Sequence, residues 1–383
     1  MKNNNTKTLL KNVCKISKGK GLKHEKVNFT KGQDCILCGD LFTQYDTVIK
    51  NVVHKTTYNE GINSKKNTVL IPGDTTTNAW DIAKAVALDE ENVLLGGSIN
   101  ILEFDDYCDN TFFAYYLSSK KRIDLAKLAI GSTVVHLHGK EIGNIGVSYP
   151  SKEMQVKIGS FFKELDELIE IEEKSTEKLI TLQKYFINAY FKSIDREVKL
   201  SNVIESKSGH SLEKYKSENG EYKFISIGNY SKDGLYIDDG SRIDITDNTE
   251  PYLINKNDLV MVLNDKTKDG KLIGSTILCE EKMVFNQRSQ KIVPGEQILP
   301  YFLWLQLNSY GFREKVKRMA QGGTQIYINF SSIEKLTIKV PELEEQKNAT
   351  NFFKEFSALI SLRNEKTVKL KNMKKYYLNK IFN

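Results

Sequence analysis

The sequence predicts an α+β fold in which two pseudo-symmetric mixed α/β domains are separated by a pair of long, antiparallel, coiled-coil-like helices. Three observations predict it. The chain is written twice: residues 129–191 align without a gap on residues 320–382, and 20 of those 63 positions are identical. Each copy closes with about 40 residues that hold no proline and at most one glycine, Gly159, with apolar side chains at three- and four-residue steps. Just ahead of each of these segments, a short run rich in β-branched residues ends at a proline, Pro150 or Pro341.

The elements follow in order. Leu10-Lys11-Asn12-Val13 with Gly19 and Leu22 meets Leu200-Ser201-Asn202-Val203 with Gly209 and Leu212 at an offset of 190, so the repeat reaches back to the start of each front part. Asn67 to Asp74 reads as a strand followed by the polar Thr75-Thr76-Thr77-Asn78, and its counterpart Asn257 to Leu263 leads into a polar loop, Asn264 to Lys271. Phe112 to Ser119 and Phe302 to Ser309 share Phe112/Phe302, Leu117/Leu307 and Ser119/Ser309 and read as one helix in duplicate. Gly143 to Tyr149 and Lys335 to Val340 have the alternation of short strands, which the prolines end because they cannot donate to a ladder. Acidic residues in Glu153-Met154-Gln155 and Glu344-Glu345-Gln346 suit a helix N-terminus.

The two helical segments carry stripes of Phe162, Leu165, Ile169, Leu179, Leu182 and Phe186, and of Phe353, Phe356, Ile360, Leu370, Met373, Tyr377 and Ile381. A helix of this size is about 60 Å long, more than its own front part can cover. The two helices are therefore expected to pack on each other, with the front parts at opposite ends. The expected organisation is a front domain over 1–150, a helix over 151–194, a second front domain over 195–341 and a second helix over 342–383. Outside the shared anchors the fronts differ in sequence, so one scaffold is expected to carry two different surfaces.

A length of 383 residues supports two or three cores. No stretch approaches the roughly 18 apolar residues of a membrane span, and Met1-Lys2-Asn3-Asn4-Asn5-Thr6 lacks the apolar core of a signal peptide, so no membrane association and a cytoplasmic location are expected. Five cysteines, odd in number and mostly scattered, fit reduced thiols. The net charge of +7 is modest, but eight lysines lie between Lys7 and Lys31 against one acid, Glu25. Such a cluster can follow a phosphate backbone or simply form a solvated face.

Absent motifs narrow the chemistry. No two prolines are adjacent, which excludes the Asn/Asp-Pro-Pro-aromatic loop of amino-methyltransferases, and no Gly-Lys is followed by Ser or Thr, which excludes a phosphate-gripping P-loop. Cys35-Ile36-Leu37-Cys38 lacks a second ligand pair at zinc spacing and reads as packed thiols. His136-Leu137-His138 puts two imidazoles on one face of a possible strand, whereas the second copy has Tyr327 and Asn329 there, so neither catalytic nor metal residues are expected.

The positive signal lies just ahead of the long helices. Arg122 and Lys127 match Arg313 and Arg318, and each pair precedes Gly131-x-Thr133 or Gly322-x-Thr324. Glycine admits close backbone approach, Thr133 and Thr324 add hydroxyl donors, and the cations can pair with phosphate; the same residues also suit a glycine turn that serves folding alone. Base reading falls to polar, divergent segments, because Arg, Lys, Asn and Gln make directional contacts to base edges. The candidates are Lys18, Lys20, Lys23 and His24 in the first half, and His210, Asn264, Lys266, Lys268, Gln287, Arg288, Gln290 and Lys291 in the second.

Two divergent fronts, each closed by Gly-x-Thr, a strand, a proline, a Glu-x-Gln step and a long helix, resemble the specificity subunits of type I restriction-modification enzymes. The resemblance covers essentially the whole chain and is more specific in arrangement than in any one motif; Ser151-Lys152 replaces Glu342-Leu343 in the first copy. It implies a non-catalytic reader of double-stranded DNA whose two target recognition domains each bind half of a split, asymmetric site. It also implies two docked methyltransferase subunits, which would supply the S-adenosylmethionine chemistry, and motor-nuclease restriction subunits; no cofactor is expected in this chain. A stand-alone nuclease or methyltransferase, and a coiled-coil scaffold that binds only proteins, are the competing readings.

Overall fold

The computed structural model describes residues 5–266, 269–323 and 325–382. Its contacts divide the chain into two units: one runs through Glu173 and takes in the chain from Asn364 onward, the other is Lys174–Arg363. Each long helix therefore contributes to both.

In the first unit the strands Thr68–Pro72 and Ile99–Phe104 are buried along almost their whole length, as a central pair covered on both faces requires. They pair antiparallel, Ile101 opposite Leu70, and the sheet runs Cys14–Lys18, Ile99–Phe104, Thr68–Pro72, Val86–Leu88. The second unit repeats the order with Ile204–Ser208, Ser289–Pro294, Leu259–Val262 and Thr276–Leu278, Lys291 opposite Val260. A second sheet in each unit is built round one parallel pair, Cys35 with Leu94 and Phe224 with Val284. The duplication thus extends through the divergent fronts.

The helix expected in duplicate is present as Asn110–Ser118 and Pro300–Leu307. The Asp109 side chain caps the first by accepting from the Phe112 amide, and Pro300, preset for a first helical turn, starts the second. Phe112, Phe113 and Leu117, and Phe302, Leu303 and Leu307, fill the two main cores. The strands ahead of the prolines are shorter than their sequence pattern: Gly146–Tyr149 pairs with Thr6–Leu9, and Thr337–Lys339 with Glu197–Lys199. The preceding turns are helical, at Gly139–Ile142 and Phe330–Ile333, and a single-turn helix carries no period for a sequence pattern to detect. Cys35 lies buried in a strand and Cys38 just beyond it, and all five thiols are free.

The long helices are Lys152–Ser193 and Leu343–Phe382. Within the first unit Phe162 stacks on Phe382, Asp166 pairs with Lys374 at 2.5 Å, and Glu172 pairs with Lys366 at 2.5 Å. Residue numbers rise on one helix as they fall on the other, so the packing there is antiparallel. Within the second unit Gln183 donates to Ser357 Oγ at 2.8 Å, Phe186 meets Phe356, and the Tyr190 hydroxyl donates to Glu345 at 3.3 Å, in the same antiparallel sense.

Candidate nucleic-acid interface

Each four-stranded sheet has one end tied to a long helix and one end that carries loops. The tie is a glutamine. Gln155, fully buried, accepts from the Asp109 amide at 3.0 Å and donates to the carbonyls of Tyr107 and Pro150; Gln346, also fully buried, accepts from the Leu299 amide at 2.9 Å and donates to the carbonyls of Gln297 and Pro341. The Glu-x-Gln step of the sequence therefore fixes the helix start to the far side of the sheet.

The opposite, free end gathers most of the residues picked out by sequence. Lys18 ends its strand exposed, the Gly19 amide bonds the Ile99 carbonyl at 2.8 Å, and Lys20, Lys23 and His24 follow exposed on the surface. In the second unit the Gly209 amide bonds the Ser289 carbonyl at 2.9 Å and His210 follows, exposed and stacked on Tyr252 with Lys207 over the same ring. Next to them lie exposed Arg288 and half-buried Gln287. Arg288 has a φ of 68°, a left-handed conformation that costs a bulky side chain energy and is held because the Leu263 amide bonds its carbonyl. Asn264 accepts from Gln325 Nε2 at 2.6 Å, and Lys266 is exposed beyond it.

The Gly-x-Thr motif belongs to this end. Gly131 and Gly322 have φ of 114° and 113°, and a Cβ would lie 2.1 Å from the Val134 carbonyl oxygen or 2.0 Å from that of Gln325. Only glycine fits. Beyond each glycine the turn is closed by a reciprocal backbone pair, Ile130 with His136 and Gln321 with Tyr327. The ribbon so formed docks on the sheet end, Asp74 opposite His136 and Asn264 opposite Tyr327. The polar segment after Leu263 accordingly begins as a strand, Asn264–Asp265, a pairing set by residues some 60 positions away. Thr133 is exposed on the turn; Lys268 and Thr324 lie outside the described residues.

Other candidates have duties within the fold. Arg313 donates to the carbonyls of Ile273, Lys232 and Lys271, and burial pulls its pKa down to about 10, still a cation at neutral pH. Arg122 donates to the Trp80 carbonyl and stacks on the indole, and burial lowers its pKa as well. Lys291 pairs with Asp258 at 2.9 Å and donates to the Leu253 carbonyl, while buried Gln290 bonds Ser206 and Ser208. Lys127 and Arg318, on the same helices as the two arginines, are exposed. Gln287 donates to Glu213, whose carboxylate is pushed down to about 2, first by the Asn286 side-chain amide and further by Ser211 and Gln287.

Sequence reasoning missed the aromatic side chains of this end: Trp80, Tyr252 and Tyr327. Trp80 is 50 % exposed and Tyr327 44 %. The position after Gly-x-Thr was a usable signal for Tyr327; nothing local marks the other two. His136 and His138 face each other with rings 6.2 Å apart, both exposed. Among the described residues no group of three side chains is arranged to hold a metal ion, and no helix is long and apolar enough to cross a membrane.

A family model described as a type I restriction modification DNA specificity domain matches residues 2–181 and again 196–372. The specificity subunit of the type I restriction enzyme MjaVIII from Methanocaldococcus jannaschii is 25 % identical over 326 residues, 78 % of this chain and 76 % of its own. The fold is similar to that of the type I restriction-modification S subunit from M. genitalium, with a TM-score of 0.64 and 16 % identity over 100 % of this chain and 97 % of that one. A chain from a structure concerned with complex assembly and conformational transition of the type I R-M system also gives a TM-score of 0.64, at 12 % identity over 99 % of this chain and 97 % of that one.

Proposed function

The chain belongs to the type I restriction-modification DNA specificity family, and from that premise we propose that it reads a bipartite, asymmetric DNA target, one unit per half-site. It is the non-catalytic DNA-recognition component of such a system. The observation that carries the bipartite reading is the free sheet end, which has one backbone in both units and different side chains on it. His136 stands where Tyr327 stands, Asp74 where Asn264 stands, and the lysines of the first unit face a mixed set, His210, Gln287 and Arg288, in the second. Exposed cations hold the phosphates, and the divergent polar and aromatic groups read base edges.

Two methyltransferase subunits dock on the chain, supply S-adenosylmethionine, and are joined by restriction subunits for cleavage. Support comes from two grooves on the long helices that share lining positions, one mostly apolar and one that also takes in Lys7, Lys120, Lys121 and Lys380. One, in the second unit, is lined by Phe186, Tyr190, Glu345 and Ala349; the other, in the first, by Tyr377, Ile381, Met154 and Ile158. These residues correspond one to one at the offset of 191. A pseudo-symmetric chain can in this way offer corresponding positions to two copies of one partner.

The test is to produce the chain with its methyltransferase subunits, map the methylated positions, and repeat with residues 1–150 taken from a different reader. One half-site changes and the other stays. A change in both half-sites, or in neither, refutes the reading.

A further inference from the structure

Trp80 and Lys271 are each held through the backbone carbonyl by one of the matching arginines, Arg122 and Arg313. Arg122 Nη2 donates to the Trp80 carbonyl at 3.0 Å, and Arg313 Nη2 donates to the Lys271 carbonyl at 2.9 Å. The bond is common to both units and the side chain it presents is not. In the first unit the guanidinium also lies 4.2 Å from the centre of the indole ring. In the second, the lysine pairs with Asp269 instead.

Trp80 is held firmly. Asn78 Oδ1 accepts from the amides of Trp80 and Asp81, both at 2.9 Å, and Ile82 on the same short helix, Ala79–Ile82, is fully buried. That helix packs on Arg122–Lys127, on Val135–His136 behind the Gly131 turn and on Asp74–Thr75, the strand on which that turn docks. Trp80 nevertheless stays half exposed. A large aromatic group whose conformational entropy is already spent, at the rim of a polar binding end, loses little on association and gains apolar contact.

We propose that Trp80 is a specificity-determining DNA contact of the first unit, its indole packing on base edges of that unit's half-site with Arg122 as the positioning residue behind it. A flat apolar surface of this kind suits the thymine methyl group in the major groove. The proposal rests on the DNA-reading role given above and adds to it one position at which the two units use different chemistry.

The test uses the full chain assembled with its methyltransferase subunits, and duplex libraries in which one half-site at a time is randomised. Methylation rates are read by sequencing, and the first unit's half-site is known from the exchange of residues 1–150. Trp80→Ala is expected to lower selectivity about tenfold at one or two adjacent base pairs of that half-site and to leave the profile of the other half-site as it was. Trp80→Lys, the side chain that the second unit carries on the matching arginine, folds and changes the preferred bases at those positions. If both variants slow methylation of every sequence equally and keep the first half-site's profile, Trp80 is a packing residue and the proposal is overturned. If the unaltered chain selects at neither half-site, the DNA-reading role falls, and the proposal with it.

Discussion

The ring of Phe382 meets that of Phe112 edge-on, with centroids 5.5 Å apart and planes at 69°. The equivalent contact in the second unit joins Phe191 to Phe302 at 5.3 Å. The end of the second long helix therefore belongs to the first unit's core, and the end of the first helix to the second's. Truncating Phe191 to alanine is expected to cost about 3 kcal/mol, and truncating the less buried Phe382 about 2 kcal/mol. Hydrogen exchange should locate the losses: Phe382→Ala should speed exchange in Thr68–Pro72 and Ile99–Phe104, and Phe191→Ala in Leu259–Val262 and Ser289–Pro294.

Gln155 and Gln346 each satisfy one amide and two carbonyls in the interior. Replacing either with leucine leaves those groups without partners and is expected to destabilise the corresponding unit by about 2–3 kcal/mol. Denaturant unfolding read separately from each unit should show the loss on the mutated side; equal losses on both sides would contradict the assignment.

Exposed and internal cations should separate cleanly. Lys20→Ala is expected to weaken DNA binding equally across sequences and to reduce the slope of log affinity against log salt by about 1, the signature of one lost phosphate contact. Arg313→Ala removes three hydrogen bonds to backbone carbonyls of separate segments and should lower the melting temperature first. Salt titrations and thermal scans on the two variants distinguish these outcomes.

Glu213 gives the second unit a pH signature. Its pKa falls from 4.5 unfolded to about 2 folded, because Asn286 and its neighbours donate to the carboxylate. Its stabilisation is complete above the unfolded value and is lost as pH drops from about 4.5 towards 2. The stability difference between the unaltered chain and Glu213→Leu, measured by urea unfolding, should therefore shrink over that interval.

What the sequence made legible follows from the range of the interactions involved. The long helices Lys152–Ser193 and Leu343–Phe382 repeat their apolar residues every turn, which is why the sequence pattern marks them as helical. Strands of two to four residues, such as Leu94–Leu95, exist only through distant partners and leave no local period. For the same reason Arg313 and Lys291 looked like free cations: the carbonyls and carboxylate that hold them come from remote segments. The Gly-x-Thr motif was visible because a backbone constraint fixes its residue type, whereas Trp80 and Tyr252 are marked by nothing local.

The glutamine clamps have a rotational consequence. With Gln155 or Gln346 bonded at once to the helix start and to the chain around Tyr107 or Gln297, a front cannot swivel on its rod without breaking three bonds together. Because a helix advances about 1.5 Å but turns about 100° with each residue, rod length is also an angular dial. One added residue barely alters reach yet swings the azimuth of everything clamped beyond it, so indels in whole turns should be tolerated far better than odd ones.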